Sequence, residues 1–240
     1  MGRDFVRMID MIEECDEIWV IARRKDKLEE LESRHGKVIR PIELDLSLNE
    51  SVVEYGRLLE EKKVQVTALV NAAGFGKFGK FEDIPLEEQM NMIDLNCKAL
   101  MAVTYLTLPY MPEGSHVYQL GSQSSFQPVP YMATYGATKA FVLSFSRAIN
   151  KELEKRKIRV IAICPGWVKT EFFDRAVRDD TIVYYNKYYS SKQVVSQAVK
   201  DMYRGKDVSV CGGLINWQRF LAKILPHKTV MKIWCKQQKK

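Results

Sequence analysis

Tyr135 and Lys139 stand four residues apart in GSQSSFQPVPYMATYGATKA, residues 121–140. The apolar residues of TYGATKAFVLSFSRA recur at helical spacing, which predicts a helix from Tyr135 to Ala148. On that helix the phenol and the ammonium project from one face. An ammonium beside a phenol favours the phenolate, so the pair predicts a tyrosine pKa drawn toward neutrality and a group able to exchange a proton with a substrate oxygen. Ser122 lies thirteen residues before Tyr135 and directly follows the apolar run HVYQLG. That run reads as a strand, so the Ser122 hydroxyl is expected at a strand's carboxyl end, where open α/β sheets keep their sites.

Spacing alone does not make a site. Tyr188 and Lys192 repeat the four-residue gap, and the residue thirteen before Tyr188 is Arg175. Isolated pairs of this kind are common on solvated helices. The first pair differs in its company: a hydroxyl at Ser122, a strand before it, and a polar residue, Asn96, inside a long apolar helical pattern over residues 87–110. An asparagine in mid-helix is a modest liability, which favours a role for it.

The elements that must position these residues follow from periodicity. DFVRMIDMIEE reads as a helix, EIWVIARR as a strand ending in Arg23 and Arg24, KDKLEELESRHG as a charged helix closed by Gly36, and KVIRPIELDL as a strand ending at Asp45. Ser47, with Glu50 three residues on, forms a capping-box pattern for the next helix. VQVTALVNAAG is a strand running into a small-residue turn, and IRVIAICPG is a further strand broken at Pro165-Gly166. Strands alternating with helices of this length predict an α/β fold, a doubly wound parallel sheet covered on both faces. From Trp167 to Tyr189 the pattern dissolves into aromatics and charges, as in a lid over a binding site. Residues 191–204 return to a helix, 208–211 to a short strand, and the chain ends in two basic amphipathic helices broken at Pro226.

With 240 residues, 46% of them hydrophobic, the chain suits one domain over 1–240, residues 213–240 forming a basic C-terminal extension. No apolar run is long enough to span a bilayer, and the opening MGRDFVRMIDMIEECDE is charged where a signal peptide is apolar, so a cytoplasmic protein is expected. Five scattered cysteines with no C-x-x-C pair indicate neither disulfides nor zinc; Cys97 and Cys164 read as buried small side chains. The net charge of +7 is concentrated after Asp207, beyond which no acidic residue occurs. No basic helix with interleaved aromatics lies in the body, which argues against nucleic acid. The tail, with Trp217, Phe220, Leu221, Ile224, Leu225, Ile233 and Trp234 among its basic residues, could pack on the domain or make weak contact with an anionic membrane surface.

In a doubly wound sheet a ligand crosses the carboxyl ends of the strands. The residues there are Arg23-Arg24, Asp45-Leu46, Asn71-Ala72-Ala73-Gly74, and Pro165-Gly166 followed by Val168 and Thr170. Together with Asn96, Ser122, Tyr135 and Lys139, in this order, they resemble the short-chain dehydrogenase/reductase family. Asn71-Ala72-Ala73-Gly74 is similar to the family's Asn-Asn-Ala-Gly turn, and Pro165-Gly166 with Thr170 to its Pro-Gly-x-x-x-Thr stretch. The resemblance implies a Rossmann-type fold and reversible hydride transfer between a nicotinamide and a carbonyl or alcohol carbon. Ser122 would bind the substrate oxygen, Tyr135 exchange the proton, Lys139 bind the nicotinamide ribose, and Asn96 hold a water leading from Lys139 to solvent. Asp45, Leu46, Asn71, Ala72, Gly74, Pro165, Gly166, Val168 and Thr170 would contact the cofactor. An acid after the second strand of such folds binds a ribose 2'-hydroxyl and an arginine there a 2'-phosphate, so Arg23 and Arg24 favour NADP over NAD. A small-molecule carbonyl or alcohol substrate, apolar or acyl-bearing, and a homo-oligomer are also implied.

The resemblance departs at the opening. The family begins with a strand and Thr-Gly-x-x-x-Gly-x-Gly, whereas Met1-Gly2-Arg3-Asp4-Phe5 resembles only the last glycine of that loop and the helix after it. Gly2 would then be the loop's remaining cofactor contact, and the expected sheet lacks its first strand. A start codon inside a longer gene is the simplest account. The alternative is a truncated, non-catalytic binding protein on the same fold.

Overall fold

A computed structural model of the protein describes residues 1–12, 15–32, 37–177 and 179–240. The N-terminal half holds α1 (Gly2–Ile12), β1 (Glu17–Ala22), α2 (Lys25–Glu32), β2 (Val38–Glu43), α3 (Asn49–Lys62), β3 (Ala68–Asn71), α4 (Leu86–Ile93), α5 (Leu100–Thr107) and β4 (His116–Leu120). There follow α6 (Ala133–Glu152), β5 (Arg159–Ile163), β6 (Trp167–Lys169), α7 (Phe172–Ala176), β7 (Tyr188–Ser190), α8 (Ser191–Tyr203), β8 (Val208–Ser209), α9 (Gly213–Ile224) and α10 (His227–Gln237). Gly36, expected to close α2, and the end of the first helix at Glu13 and Glu14 lie outside the described residues.

Every strand pair is parallel. β3, β4, β5 and β8 form one four-stranded piece in that order, and β1 pairs with β2. Alternation along each strand sorts the core into two layers. Val117 and Val160, opposite each other in register, pack with Leu69, Tyr55, Leu59 and Val103 against α3 and α5. Their neighbours Tyr118 and Ile161 face the other way, against Phe5 of α1 and Val195, Ala198 and Met202 of α8. Because both faces are covered, the strands read as almost continuous apolar runs. This is the doubly wound, Rossmann-type arrangement. Among the described residues no ladder joins β1 to β3; Val6 and Ile9 of α1 cluster instead with Ile18 of β1 and Ile39 of β2, and Ala68 and Val70 of β3 pack against that cluster.

Several expectations need correction. Ser47 does not cap α3: Leu48 holds the N-cap position, and the Ser47 hydroxyl and N–H both donate to Asp45 Oδ1, at 2.6 and 3.0 Å. The acid two residues back outcompetes the helix end for that hydroxyl. β2 stops at Glu43, before Asp45. The long helix over 87–110 is interrupted by a π-helical turn at Asp94–Ala99, centred on Asn96. Cys97 is half-buried, whereas Cys164 is fully buried. The segment after Pro165-Gly166 carries elements of its own: β6 pairs with β7, and α7 lies between them in the chain.

Candidate active site

Ser122 leaves β4 in extended conformation and caps a short 3₁₀ turn, Gln123–Phe126. Its Oγ accepts from the N–H of Ser124 at 3.2 Å, while its own N–H donates to Ser125 Oγ, also at 3.2 Å. Ser125 Oγ in turn donates to the main-chain carbonyl of Lys139 at 2.7 Å. Ser125 therefore pins the Ser122 loop to α6 at the position of Lys139. The one sign of Ser125 in the sequence is the Ser122-x-x-Ser125 spacing, which is that of a capping box.

On α6, Tyr135 and Lys139 are both buried, and the Lys139 ammonium lies 5.8 Å from the Tyr135 ring centroid. The competing pair fails on this ground: Tyr188 is 39% exposed against 8% for Tyr135. Burial pushes the Tyr135 phenol up to about 12, and the hydrogen bond with Ser122 pulls it back by less. Burial likewise pushes Lys139 down to about 8. This overturns the expected phenolate near neutrality, because loss of solvent outweighs the nearby ammonium, which is turned to donate to the Leu120 carbonyl at 2.8 Å. Tyr135 thus holds its proton at neutral pH and can give it to an oxygen placed between it and Ser122.

Asn96 is fully buried within the π turn, a kind of helix defect frequent at functional sites. Its amide donates to the Phe75 carbonyl at 2.8 Å and to Thr138 Oγ1 at 3.0 Å, and its Oδ1 accepts from the Phe75 N–H at 3.1 Å. Both amide protons are used. Asn96 therefore ties the loop after β3 to α6, a part the sequence could not disclose because Phe75 and Thr138 carry no signature. Gly74 is needed for this closeness: a methyl there would stand 2.8 Å from Asn96 Oδ1 and 3.4 Å from Lys139 Nζ. Gly74→Ala is expected to destabilise the protein by about 1–3 kcal/mol, as overpacking does. An unchanged urea midpoint would show that the loop simply moves aside.

Ser122, Tyr135, Lys139, Gly74, Pro165, Gly166, Val168 and Thr170 line one cavity of about 280 Å³. Met1, at the start of α1 beside Gly2, reaches the same cavity. Its far wall is apolar and comes partly from Trp167, Phe172, Phe173 and Tyr184, and partly from the C-terminal helices through Leu221, Leu225, Val230, Ile233 and Trp234. Trp234 is anchored by its indole N–H donating to the Pro130 carbonyl at 2.9 Å.

The remaining candidates stand outside that cavity. Arg23 pairs with Asp45 at 3.3 Å beyond the ends of β1 and β2, and Arg24 pairs with Glu171 at 2.8 Å. Leu46 packs into the core beneath α3 and α5. Asn71 donates to Thr104 Oγ1 and Gln119 Oε1, each at 3.0 Å, so its side chain is engaged between β3 and its neighbours; Ala72 follows it in the turn. Gly2 begins α1 with open space around it.

Comparison with known proteins bears on the family and the fold. An uncharacterized oxidoreductase of Staphylococcus epidermidis is 29% identical over 155 residues, 64% of this chain and 67% of the relative. Sulfoacetaldehyde reductase 2 of Chromohalobacter salexigens is 33% identical over 156 residues, and the match spans 62% of either chain. In fold, the chain is similar to a short-chain dehydrogenase from Sphingobium yanoikuyae solved in complex with NADPH, with a TM-score of 0.78 at 24% identity, covering 96% of this chain and 91% of that one. A short-chain dehydrogenase/reductase from Burkholderia phymatum in complex with NAD gives 0.77 at 17% identity, covering 92% and 88%. The family model for short chain dehydrogenases matches residues 1–181. With that match over most of its length, and a parallel sheet that brings Ser122, Tyr135 and Lys139 to one cavity, the chain belongs to the short-chain dehydrogenase family of oxidoreductases.

Proposed function

We propose that this chain is an NADP(H)-dependent carbonyl reductase or alcohol dehydrogenase acting on an apolar or acyl-bearing substrate. The observation that carries the reading is the Lys139 ammonium. It is buried on the cavity wall, and among the described residues the Leu120 carbonyl is its one hydrogen-bond acceptor. Two of its protons are left for a ligand. Ribose hydroxyls fit that demand, in the cavity that Gly74 and Gly166 also line. A bound nicotinamide dinucleotide would supply or accept the hydride. Ser122 would orient the substrate oxygen and Tyr135 donate or remove its proton. Lys139 would hold the ribose, and Val168 and Thr170 the carboxamide end. With the Asn96 amide protons spent on Phe75 and Thr138, a water leading from Lys139 to solvent would fall to the main-chain carbonyls of the π turn.

A non-catalytic binding protein has less support. It gives no reason to bury a lysine with one acceptor beside a phenol, an arrangement that lowers stability. Loss of NADPH absorbance over a panel of apolar ketones and acyl carbonyls tests the reading, and no turnover combined with no NADPH binding would overturn it. Apolar side chains exposed on α4, α5 and α6, among them Met90, Ile93, Met101, Tyr105 and Phe141, support a homo-oligomer.

The NADP preference rests on Arg23 and Arg24, which follow β1 where an acid would select NAD. Arg23→Asp is expected to weaken NADPH at least about tenfold while leaving NADH nearly unchanged, since a charge-assisted partner of the 2'-phosphate becomes a repulsive one. Equal effects on both cofactors would assign Arg23 to its ion pair with Asp45 alone.

A further inference from the structure

We propose that the outer face of α9 and α10 docks on an anionic lipid surface. α9 buries Ile215 and Ala222 and turns Leu214, Trp217, Phe220 and Ile224 outward. Trp217, Phe220 and Ile224 are 57%, 50% and 58% exposed, and the first two stack at 5.6 Å. An apolar ridge of this kind on one helix, with Trp and Phe at its middle, is the form of a helix that lies in a membrane interface.

The charge of the same C-terminal segment selects the occupant. Lys223, Lys228, Lys232, Lys236, Lys239 and Lys240 are all exposed, and no acidic residue follows Asp207 to balance them. A second copy brought against this face by two-fold symmetry would set these lysines against the same six. Anionic headgroups complement them, and the long lysine stems can lie along the lipid boundary with their ammonium groups at the headgroups. Among the described residues no helix is long and apolar enough to cross a membrane, so the contact is one of surface docking.

The inner side of the same helices is fixed to the domain. Trp234 bonds Pro130, and Gln238 Oε1 accepts from the N–H groups of Val183 and Tyr184 at 2.9 and 3.0 Å. The docking face is therefore presented by anchored helices. Ile233 is both exposed and part of the cavity wall, so docking brings that wall to the lipid. An apolar substrate dissolved there would meet this wall first; that consequence rests on the oxidoreductase reading, whereas the docking does not.

Sedimentation of the full chain with vesicles of phosphatidylglycerol and phosphatidylcholine, against phosphatidylcholine alone, tests the docking. At low salt, binding to the anionic vesicles is expected to exceed the zwitterionic by at least about tenfold and to fall as salt is raised. Each of Lys223→Gln, Lys228→Gln and Lys232→Gln should lower partitioning about fivefold. Trp217→Ser combined with Phe220→Ser should lower it at least about tenfold, with the unfolding midpoint near that of the wild type. Absence of anionic preference at low salt would overturn the proposal. So would a Trp217→Ser/Phe220→Ser variant that still sediments with vesicles but has lost oligomeric mass, since a second copy would then own the face. If the double variant does not fold, the lipid and salt dependence of the wild-type chain decides alone.

Discussion

Tyr135→Phe is expected to lower kcat for carbonyl reduction at least about a hundredfold while NADPH affinity stays within about twofold. The ring contributes packing that phenylalanine retains: its centroid is 5.5 Å from that of Phe172, and the side chain is buried. What the variant lacks is the hydroxyl that hydrogen-bonds Ser122 and keeps its proton until about pH 12. Because the phenol is protonated throughout the neutral range, on the proposed reading its part at physiological pH would be that of an acid toward a developing alkoxide. Oxidation of an alcohol requires the reverse transfer and is expected to gain with rising pH. Retention of more than about a tenth of wild-type turnover by Tyr135→Phe would remove Tyr135 from the proton path, since a positioned acid is worth more than that.

Lys139→Met is expected to change how stability depends on pH, whether or not substrate is known. In the unfolded chain the lysine keeps its proton up to the usual 10.5, whereas in the folded protein burial makes it release the proton near 8. Between those values unfolding takes up a proton, so raising the pH opposes unfolding and wild-type stability rises. Below about pH 8 the full cost of the buried ammonium is present. Tyr135 acts in the opposite sense only above pH 10, where the unfolded phenol ionises and the folded one does not. Methionine removes the titration and keeps much of the packing. The variant also leaves the Leu120 carbonyl without its donor, a loss of about 1–3 kcal/mol that is independent of pH. Wild type should therefore gain about 2 kcal/mol on Lys139→Met between about pH 7 and pH 10. Urea midpoints at the two pH values measure it, and parallel behaviour of the two proteins would mean that the ammonium is not desolvated in the folded state. A decline of kcat/KM with an apparent pKa near 8, absent from the variant's residual activity, is the corresponding kinetic expectation, because that ratio reports groups of the free enzyme.

The sequence by itself determined what local geometry controls. Continuous apolar runs placed β4 and β5, and helical period placed α6, so that Tyr135 and Lys139 had to share a face and Ser122 had to emerge at a strand end. Parallel order followed from strands separated by helices, since such crossovers return the chain in the same direction. These features depend on backbone dihedrals and on residues within a few positions of one another.

The tertiary structure alone decided everything that depends on which distant segments meet. It set Asn96 against Phe75 and Thr138, twenty-one and forty-two residues away, and tied Ser125 to Lys139. It paired Arg23 with Asp45, and it made the basic tail a wall of the cavity. It also reversed the expected direction of the Tyr135 shift. The four-residue spacing implied an ammonium that favours phenolate, yet whether that attraction prevails depends on how much water the surrounding elements exclude. Desolvation is a property of the packed environment, contributed here by Phe172, Phe75, Phe78 and the rest of the cluster around the ring, and no local pattern in the chain encodes it.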